Sequence, residues 1–256
     1  MTETYPTDLT AIQKILVKAN LNENIPKLRK YDFFEVLNAI IYVVKTGIQW
    51  TMLPRSFPPY QSVYHHFRSW SARGWFVSFL KVLVQGKRVS TGRSPEPSDS
   101  VIDSQSVRSC LSDSEKGIDG NKRIKGIKRH LAVDSQGYPL AVHITTANVH
   151  DSRAAAPLIA NTLCRYSDIL LFKADQGYRG AIQSAVSMAS EAKLECVKSN
   201  FGTADFIPLE GRWVVERTFS WMENYRRLTR NYERYLKTAQ AMFIAACVFF
   251  MIRYFR

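Results

Sequence analysis

The sequence of 256 residues predicts an α/β protein in which an all-helical segment precedes a mixed β-sheet with helices on its faces. Apolar residues recur at helical spacing up to residue 87 and follow a strand-like period from residue 101 onward. Between them, residues 90–100 (STGRSPEPSDS) hold Pro, Gly and Ser and read as a linker. We therefore predict domains at residues 1–89 and 101–256.

Two helices are predicted first, at residues 9–18 and 31–46. The second is the better marked, because Asp32 and Glu35 have the spacing of a capping box and Gly47 follows the apolar stripe. These features predict a buried helix with defined ends.

Two more helices are predicted at residues 61–73 and 75–87. The polar face of the first carries Gln61, His65, Arg68 and Ser69. This order is typical of a helix-turn-helix-like DNA-binding domain, with residues 61–73 entering a major groove. A plain helical domain with a solvated basic face is the alternative.

After the linker, the pattern predicts strands separated by helices, with a turn at residues 137–139. The predicted strands are residues 101–107, 129–133, 140–145, 169–174 and a short one at 194–197. The predicted helices are residues 151–163, 180–192 and one that starts at Arg212 and carries Glu216. The apolar run at residues 241–252 is too short to span a bilayer and predicts a buried C-terminal helix.

The formal charge of +13 is uneven, with +6 over residues 1–100, +2 over 101–206 and +5 over 207–256. This distribution favours a polyanion held from two sides. The four cysteines lack CxxC or Cys/His spacing, which argues against a zinc site and a disulfide framework. The N-terminus has no secretory signal pattern, so we expect a cytoplasmic protein.

Three carboxylates are the candidate catalytic and metal-binding residues: Asp103, Asp175 and Glu216. Asp103 interrupts an apolar strand, and Asp175 directly follows the strand 169–174. Together they would form an oxygen-only site, which Mg²⁺ prefers, and two such ions support phosphodiester cleavage. Taken singly, each acid fits a turn, a cap or, for Glu216, an i,i+4 pair with Arg212.

Residues 116–129 form a second candidate site, a cationic loop or hairpin interspersed with glycines. Its proposed phosphate-binding side chains are Lys122, Arg123, Lys125, Lys128 and Arg129. We favour phosphate contacts over a merely solvated loop, because the six cations of this stretch face only Asp119.

These motifs carry a resemblance to a family. The chain resembles the DDE transposases of bacterial insertion sequences, in the IS-five group. The matching pieces include YPTDLT, FPPYQSVYHHFRSW, IDSQSVRS, ANVHDS, ADQGYRG and RWVVERTFSWMENYRRLTRNYER, and they span nearly the whole chain. The resemblance implies an RNase H-like catalytic core after a helical DNA-binding domain, with Asp103, Asp175 and Glu216 as the catalytic acids.

The resemblance also implies a cofactor and partners. These are two Mg²⁺ ions, with Mn²⁺ able to substitute, double-stranded DNA as terminal inverted repeats and target, and a homodimer or higher oligomer in the bacterial nucleoid. Arg212 fits the family's signature around Glu216. Leu209 and Glu223 replace its Tyr and Lys, so Arg226 or Arg227 would supply the second cation. The alternative function is a non-catalytic, sequence-specific DNA-binding protein derived from a transposase.

Overall fold

The computed structural model describes residues 4–21, 25–196 and 213–254. These residues belong to two compact units. Unit 1 comprises Met1–Thr91, Met222–Thr229 and Ala241–Arg256, and unit 2 comprises Gly92–Trp221 and Arg230–Gln240. The predicted domain borders put residues 222–229 and 241–256 in the catalytic domain. In the structure these residues belong to unit 1, together with the N-terminal helices.

Unit 1 contains four N-terminal helices: α1 (Ala11–Leu21), α2 (Phe33–Thr46), α3 (Tyr60–Ala72) and α4 (Trp75–Ser90). The capping box on α2 is confirmed, since Asp32 accepts from the Glu35 amide and Glu35 reaches the Asp32 amide. Gly47 ends the helix at φ 77, a conformation that favours glycine. Most of α2 is buried, which makes it the centre of this unit.

The helix-turn-helix part of the prediction is not confirmed. In that motif a turn of about three or four residues precedes the recognition helix. Here α3 is reached from α2 through residues 47–59, which contain a 3₁₀ turn at Trp50–Met52 and three prolines. The tight connection instead follows α3, because only Arg73 and Gly74 separate it from α4.

The C-terminal helix α8 (Leu236–Tyr254) supplies the rest of the unit 1 core. Phe249 lies edge-on to Phe76 with ring centroids 6.5 Å apart, and Arg253 donates to the Pro6 carbonyl. Among the described residues, this one helix is long and apolar enough to cross a membrane, yet 61% of its most apolar window is buried. The predicted buried C-terminal helix is thus confirmed.

Unit 2 is built on a six-stranded mixed sheet in the order β2-β3-β1-β5-β6, with β4 also pairing with β3. Its strands are β1 (Asp99–Arg108), β2 (Gly117–Asp119), β3 (Ile124–Val133), β4 (Pro139–Thr146), β5 (Leu171–Ala174) and β6 (Lys193–Cys196). The β1–β5 and β5–β6 pairs are parallel, whereas β3 pairs antiparallel with β1, β2 and β4. This architecture confirms the predicted α/β class with a mixed sheet and is consistent with an RNase H-like core.

Unit 2 also contains three helices: α5 (Asp151–Leu163), α6 (Ala181–Ala189) and most of α7 (Trp213–Glu223). The linker predicted at residues 90–100 is shorter, because α4 continues to Ser90 and β1 begins at Asp99. The cationic stretch at residues 116–129 contains the antiparallel β2–β3 pair, so it forms the hairpin of the two predicted alternatives.

Candidate active site

The parallel pairing of β1 and β5 brings two of the predicted acids to the same place. Asp99 lies beside Leu171 and Val101 beside Lys173. Val101–Lys173 is the last pair of this register; extended by two residues, the same offset pairs Asp103 with Asp175, and neighbouring strands are about 4.8 Å apart. Both side chains are partly buried.

Local hydrogen bonds orient each of these carboxylates. The Ser104 amide donates to Asp103 Oδ1 at 2.7 Å. The Gly177 amide donates to Asp175 Oδ1 at 2.9 Å, because Asp175 caps a 3₁₀ turn at Gln176–Tyr178. A backbone amide therefore fixes the orientation of each of the two carboxylates near the carboxyl end of β5.

A third aspartate, Asp151, lies at the same place and was missed by the sequence analysis. It is the first residue of α5, and its Oδ1 accepts from the Ser104 hydroxyl at 2.8 Å. A Cβ atom at Gly177 would lie 3.1 Å from Asp175 Oδ1 and 3.6 Å from Asp151 Oδ2, so both aspartates border this glycine. The ANVHDS motif contains Asp151, but an acid in the first turn of a helix ordinarily indicates only favourable helix-dipole interactions.

Tyr178 is the buried centre of this group of aspartates. Its side chain is fully buried. Burial raises the pKa of Tyr178 well above its ordinary value, and the negative charges of Asp103, Asp151 and Asp175 raise it further. The phenol therefore stays protonated beside the three carboxylates.

Behind Asp151, the strand β3 contributes two buried basic residues. Lys128 Nζ lies 3.2 Å from Asp151 Oδ1 and 3.9 Å from Asp119 Oδ2, and it donates to the Val149 carbonyl. His130 Nδ1 lies 3.9 Å from Asp151 Oδ1. Burial lowers the pKa of His130 to about 3, an effect that the negative charge of Asp151 only partly opposes. His130 is thus neutral near pH 7.

This burial corrects the predicted set of phosphate contacts. Lys128 and Arg129 are only 7% and 4% exposed, so they do not belong to a phosphate-binding surface. Lys122, Arg123 and Lys125 are exposed around the β2–β3 turn. Both faces of β3 are buried from Gly126 onward, so the side chains of Lys128 and Arg129 are buried although they point to opposite faces of the sheet. The run of charges in the sequence does not indicate this burial.

The third predicted acid, Glu216, is exposed on α7. The opposite face of α7 packs on the β3–β4 turn, where the Thr218 hydroxyl and Arg217 donate to the carbonyls of Gly137 and Gln136, each at 2.7 Å. Gly137 adopts φ 80, and a Cβ there would lie 2.8 Å from Thr218 Oγ1, so this contact requires glycine.

The described residues, which leave out 197–212 just before α7, contain no group of three His, Cys, Asp or Glu side chains arranged to hold a metal ion. The structure therefore brings Asp103 and Asp175 together but does not show Glu216 completing a metal site with them. Arg212 and Leu209 lie outside the described residues.

The donor chemistry at this end of the sheet nevertheless fits a hard divalent cation. Asp103 and Asp175 supply carboxylate oxygens, which Mg²⁺ and related ions prefer. His130 Nδ1 is a buried polar atom without a hydrogen-bond partner, which ordered water would satisfy.

The predicted DNA-reading face of α3 is accessible. Gln61, His65 and Arg68 are exposed and Ser69 is half-buried, and all four line a groove of about 480 Å³. The Arg68 guanidinium lies 5.9 Å from the Tyr64 ring centroid. The polar face of α3 is therefore accessible to a ligand. Its role in reading DNA sequence stays a prediction.

The two candidate arginines after α7 differ. Arg226 is exposed, whereas Arg227 is buried and donates to the Ile48 carbonyl at 3.1 Å within unit 1. Arg227 therefore holds the loop after α2, and its predicted contact with DNA is corrected.

The comparisons with known proteins agree with this fold. Residues 94–251, more than half of the chain, match the family described as transposase DDE domain. The chain therefore belongs to the DDE transposase family, whose members act on DNA and generally use divalent metal ions.

A second family match, in the N-terminal region, specifies the type of transposase. Residues 10–80 match the family described as putative transposase of IS4/5 family, so the chain is a DDE transposase of IS4/5 type. It is similar to the putative transposase for insertion sequence element IS402 of Burkholderia cepacia, with 32% identity over 124 residues. That match covers 43% of this chain and 54% of the relative, so the chain spans about half the length of that relative. The family named from the sequence motifs is confirmed.

Proposed function

We propose that this chain binds the ends of its insertion sequence, cleaves the phosphodiester bonds there and joins the resulting 3′-hydroxyl to target DNA. The observation that carries the proposal is the parallel β1–β5 register, whose extension by two residues pairs Asp103 with Asp175 within a DDE transposase domain. Cleavage is an in-line attack by water that releases the 3′-hydroxyl, and joining is an in-line transesterification by that hydroxyl, so one acidic site serves for both.

In this mechanism Asp103 and Asp175 would hold the divalent ions, and Glu216 on α7 would supply the third carboxylate. Bound Mg²⁺, or Mn²⁺ in its place, would supply Lewis-acid activation of the attacking oxygen and stabilisation of the leaving oxygen. The buried Tyr178 stays neutral and adds no charge to the acidic end of the sheet.

DNA would be held by exposed residues of each unit. In unit 1, Gln61, His65, Arg68 and Ser69 on α3 would read base edges, and Arg226 would contact phosphate. In unit 2, the exposed turn cations Lys122, Arg123 and Lys125 would contact phosphate without reading sequence. Arg212 is also proposed to contact DNA, and only its position in the sequence signature supports this role. A homodimer or higher oligomer on DNA would pair the two ends.

The test uses the full chain, a linear duplex that carries the element's terminal inverted repeats, and Mg²⁺. Asp103→Asn, Asp175→Asn and Glu216→Gln should each lower the rate of end cleavage by roughly 1,000-fold or more while leaving end binding intact, because each removes a metal ligand without adding bulk. Asp168→Asn, an exposed aspartate of the same unit, is the matched control. Full activity of Asp175→Asn would overturn the assignment.

The same experiment decides the alternative of a non-catalytic DNA-binding protein, which the family matches do not favour. A wild-type chain that binds the ends tightly but gives no cleavage in either Mg²⁺ or Mn²⁺ would support that alternative.

A further inference from the structure

We propose that Asp151 is a positioning residue of this active site, which holds Asp103 and Asp175 in the arrangement that binds divalent cations. The inference rests on the proposed function and deepens it. Asp151 is on neither predicted strand end nor on α7, so the sequence analysis gave it no role.

One oxygen of Asp151 is tied to Asp103 through Ser104. Asp151 Oδ1 accepts from the Ser104 hydroxyl at 2.8 Å, and the Ser104 amide donates to Asp103 Oδ1 at 2.7 Å. Lys128 Nζ fixes the same oxygen of Asp151 at 3.2 Å. Asp151 thus anchors the residue whose backbone orients the first catalytic acid.

The other oxygen faces the second catalytic acid. Gly177, whose amide donates to Asp175 at 2.9 Å, has Asp175 Oδ1 and Asp151 Oδ2 close to the position that a Cβ would take. A Cβ at Gly177 would lie 3.1 Å from Asp175 Oδ1, which is a tight contact, and 3.6 Å from Asp151 Oδ2, which is an ordinary one. Both carboxylates therefore border the turn that Asp175 caps.

A buried polar atom next to these aspartates lacks a hydrogen-bond partner. It is His130 Nδ1, and the His130 side chain is fully buried. Unpaired buried groups of this kind are uncommon in folded proteins, and ordered water or an ion accounts for many of them. This atom independently indicates that the space around Asp151 accommodates a ligand.

The competing role for Asp151 is to neutralise the buried ammonium of Lys128. A pair of substitutions separates the two roles. Asp151→Asn keeps an oxygen that accepts from Ser104 but removes the charge, and Lys128→Met removes the ammonium while keeping a similar length. In the double variant no buried cation is left that needs Asp151.

The measurement is Mn²⁺ binding to the full chain without DNA, followed by the decrease of the electron paramagnetic resonance signal of free Mn²⁺. Removing a residue that orients metal ligands typically weakens metal binding by about 10- to 100-fold, and we expect this for Asp151→Asn. The double variant should recover its urea unfolding midpoint yet keep the weakened Mn²⁺ binding. Wild-type affinity in Asp151→Asn, or recovery of affinity in the double variant, would reduce Asp151 to a partner of Lys128.

Ser104→Ala provides a second test that leaves every charge in place. It breaks the Asp151–Ser104–Asp103 connection, so Mn²⁺ binding should weaken by several-fold. An unchanged dissociation constant would contradict the connection through Ser104.

Asp103→Asn, Asp175→Asn and Asp168→Asn in the same titration separate this inference from the function on which it rests. If the first two bind Mn²⁺ like the wild type, the proposed catalytic acids are wrong. If they abolish Mn²⁺ binding while Asp151→Asn and Asp168→Asn retain it, only the role of Asp151 fails.

Discussion

The turn that leads into β3 and the inner part of β3 both carry basic side chains, but these side chains serve opposite purposes. In the turn region, residues 122–125, the side chains of Lys122, Arg123 and Lys125 are exposed. In the inner region, residues 128–130, Lys128 and His130 are buried against Asp151. A count of positive charges alone therefore overstates the DNA-binding surface, because part of the charge run stabilises the active-site end of the sheet.

Asp119 connects the two regions. It accepts from the amides of Asn121 and Lys122 at the turn, and its Oδ2 lies 3.9 Å from Lys128 Nζ and accepts from the Ser106 hydroxyl at 2.5 Å. Burial by itself raises the pKa of Asp119, but the bonds from Ser106 and Lys122 and the charge of Lys128 outweigh it, so this pKa is lowered. The ionised Asp119 thus links the turn to the inner region.

The largest difference between the regions should be in stability. Lys128→Ala leaves the buried Asp151 and Asp119 without their cation, which typically costs about 3 kcal/mol in the free energy of unfolding. Lys125→Ala, at an exposed position of the same strand, should stay within about 0.5 kcal/mol. Urea unfolding of both variants makes the comparison, and equal destabilisation would show that the two regions do not differ as described.

A smaller effect should appear in the pH dependence of stability. The folded-state pKa of His130 is lowered to about 3, so the unfolded chain binds this proton more readily between that pH and about 6.5. The folded state is therefore destabilised as the pH falls below about 6.5. Between pH 7.5 and 5 this amounts to roughly 2 kcal/mol.

His130→Gln should remove that part of the pH dependence. The check is the difference in urea unfolding free energy between pH 7.5 and 5, measured for the wild type and the variant. The same difference in the two proteins would mean that His130 is protonated in the folded state at pH 5.

The smallest effect concerns the turn region and DNA. Replacing Lys122, Arg123 and Lys125 together by alanine should reduce the slope of log K against log salt concentration by about 0.9 for each phosphate that the variant no longer binds. Lys128→Met should leave the slope unchanged, because Lys128 is buried. Fluorescence anisotropy with a duplex of arbitrary sequence at several salt concentrations measures both, and an unchanged slope in the triple variant would return the turn to a solvated surface.

Local patterns in the sequence were enough for most elements. The capping box and Gly47 bounded α2, and residues 151–163 were predicted as a helix with the bounds that the structure has. Such elements are set by side-chain periodicity and by caps within a few residues, so no distant contact is needed to recognise them. The order of the sequence motifs was likewise sufficient to identify the family.

The direction in which charged side chains point was decided only by the tertiary structure. Lys128 is buried because β3 pairs with β2, which carries Asp119, and packs against α5, which begins with Asp151. Arg227 is buried because a carbonyl of the loop after α2 accepts its hydrogen bond. Asp151 joins Asp103 and Asp175 through the packing of α5 on the sheet. Charge and spacing along the chain identify which residues can ionise, but burial and partners depend on contacts between segments that only the folded chain creates.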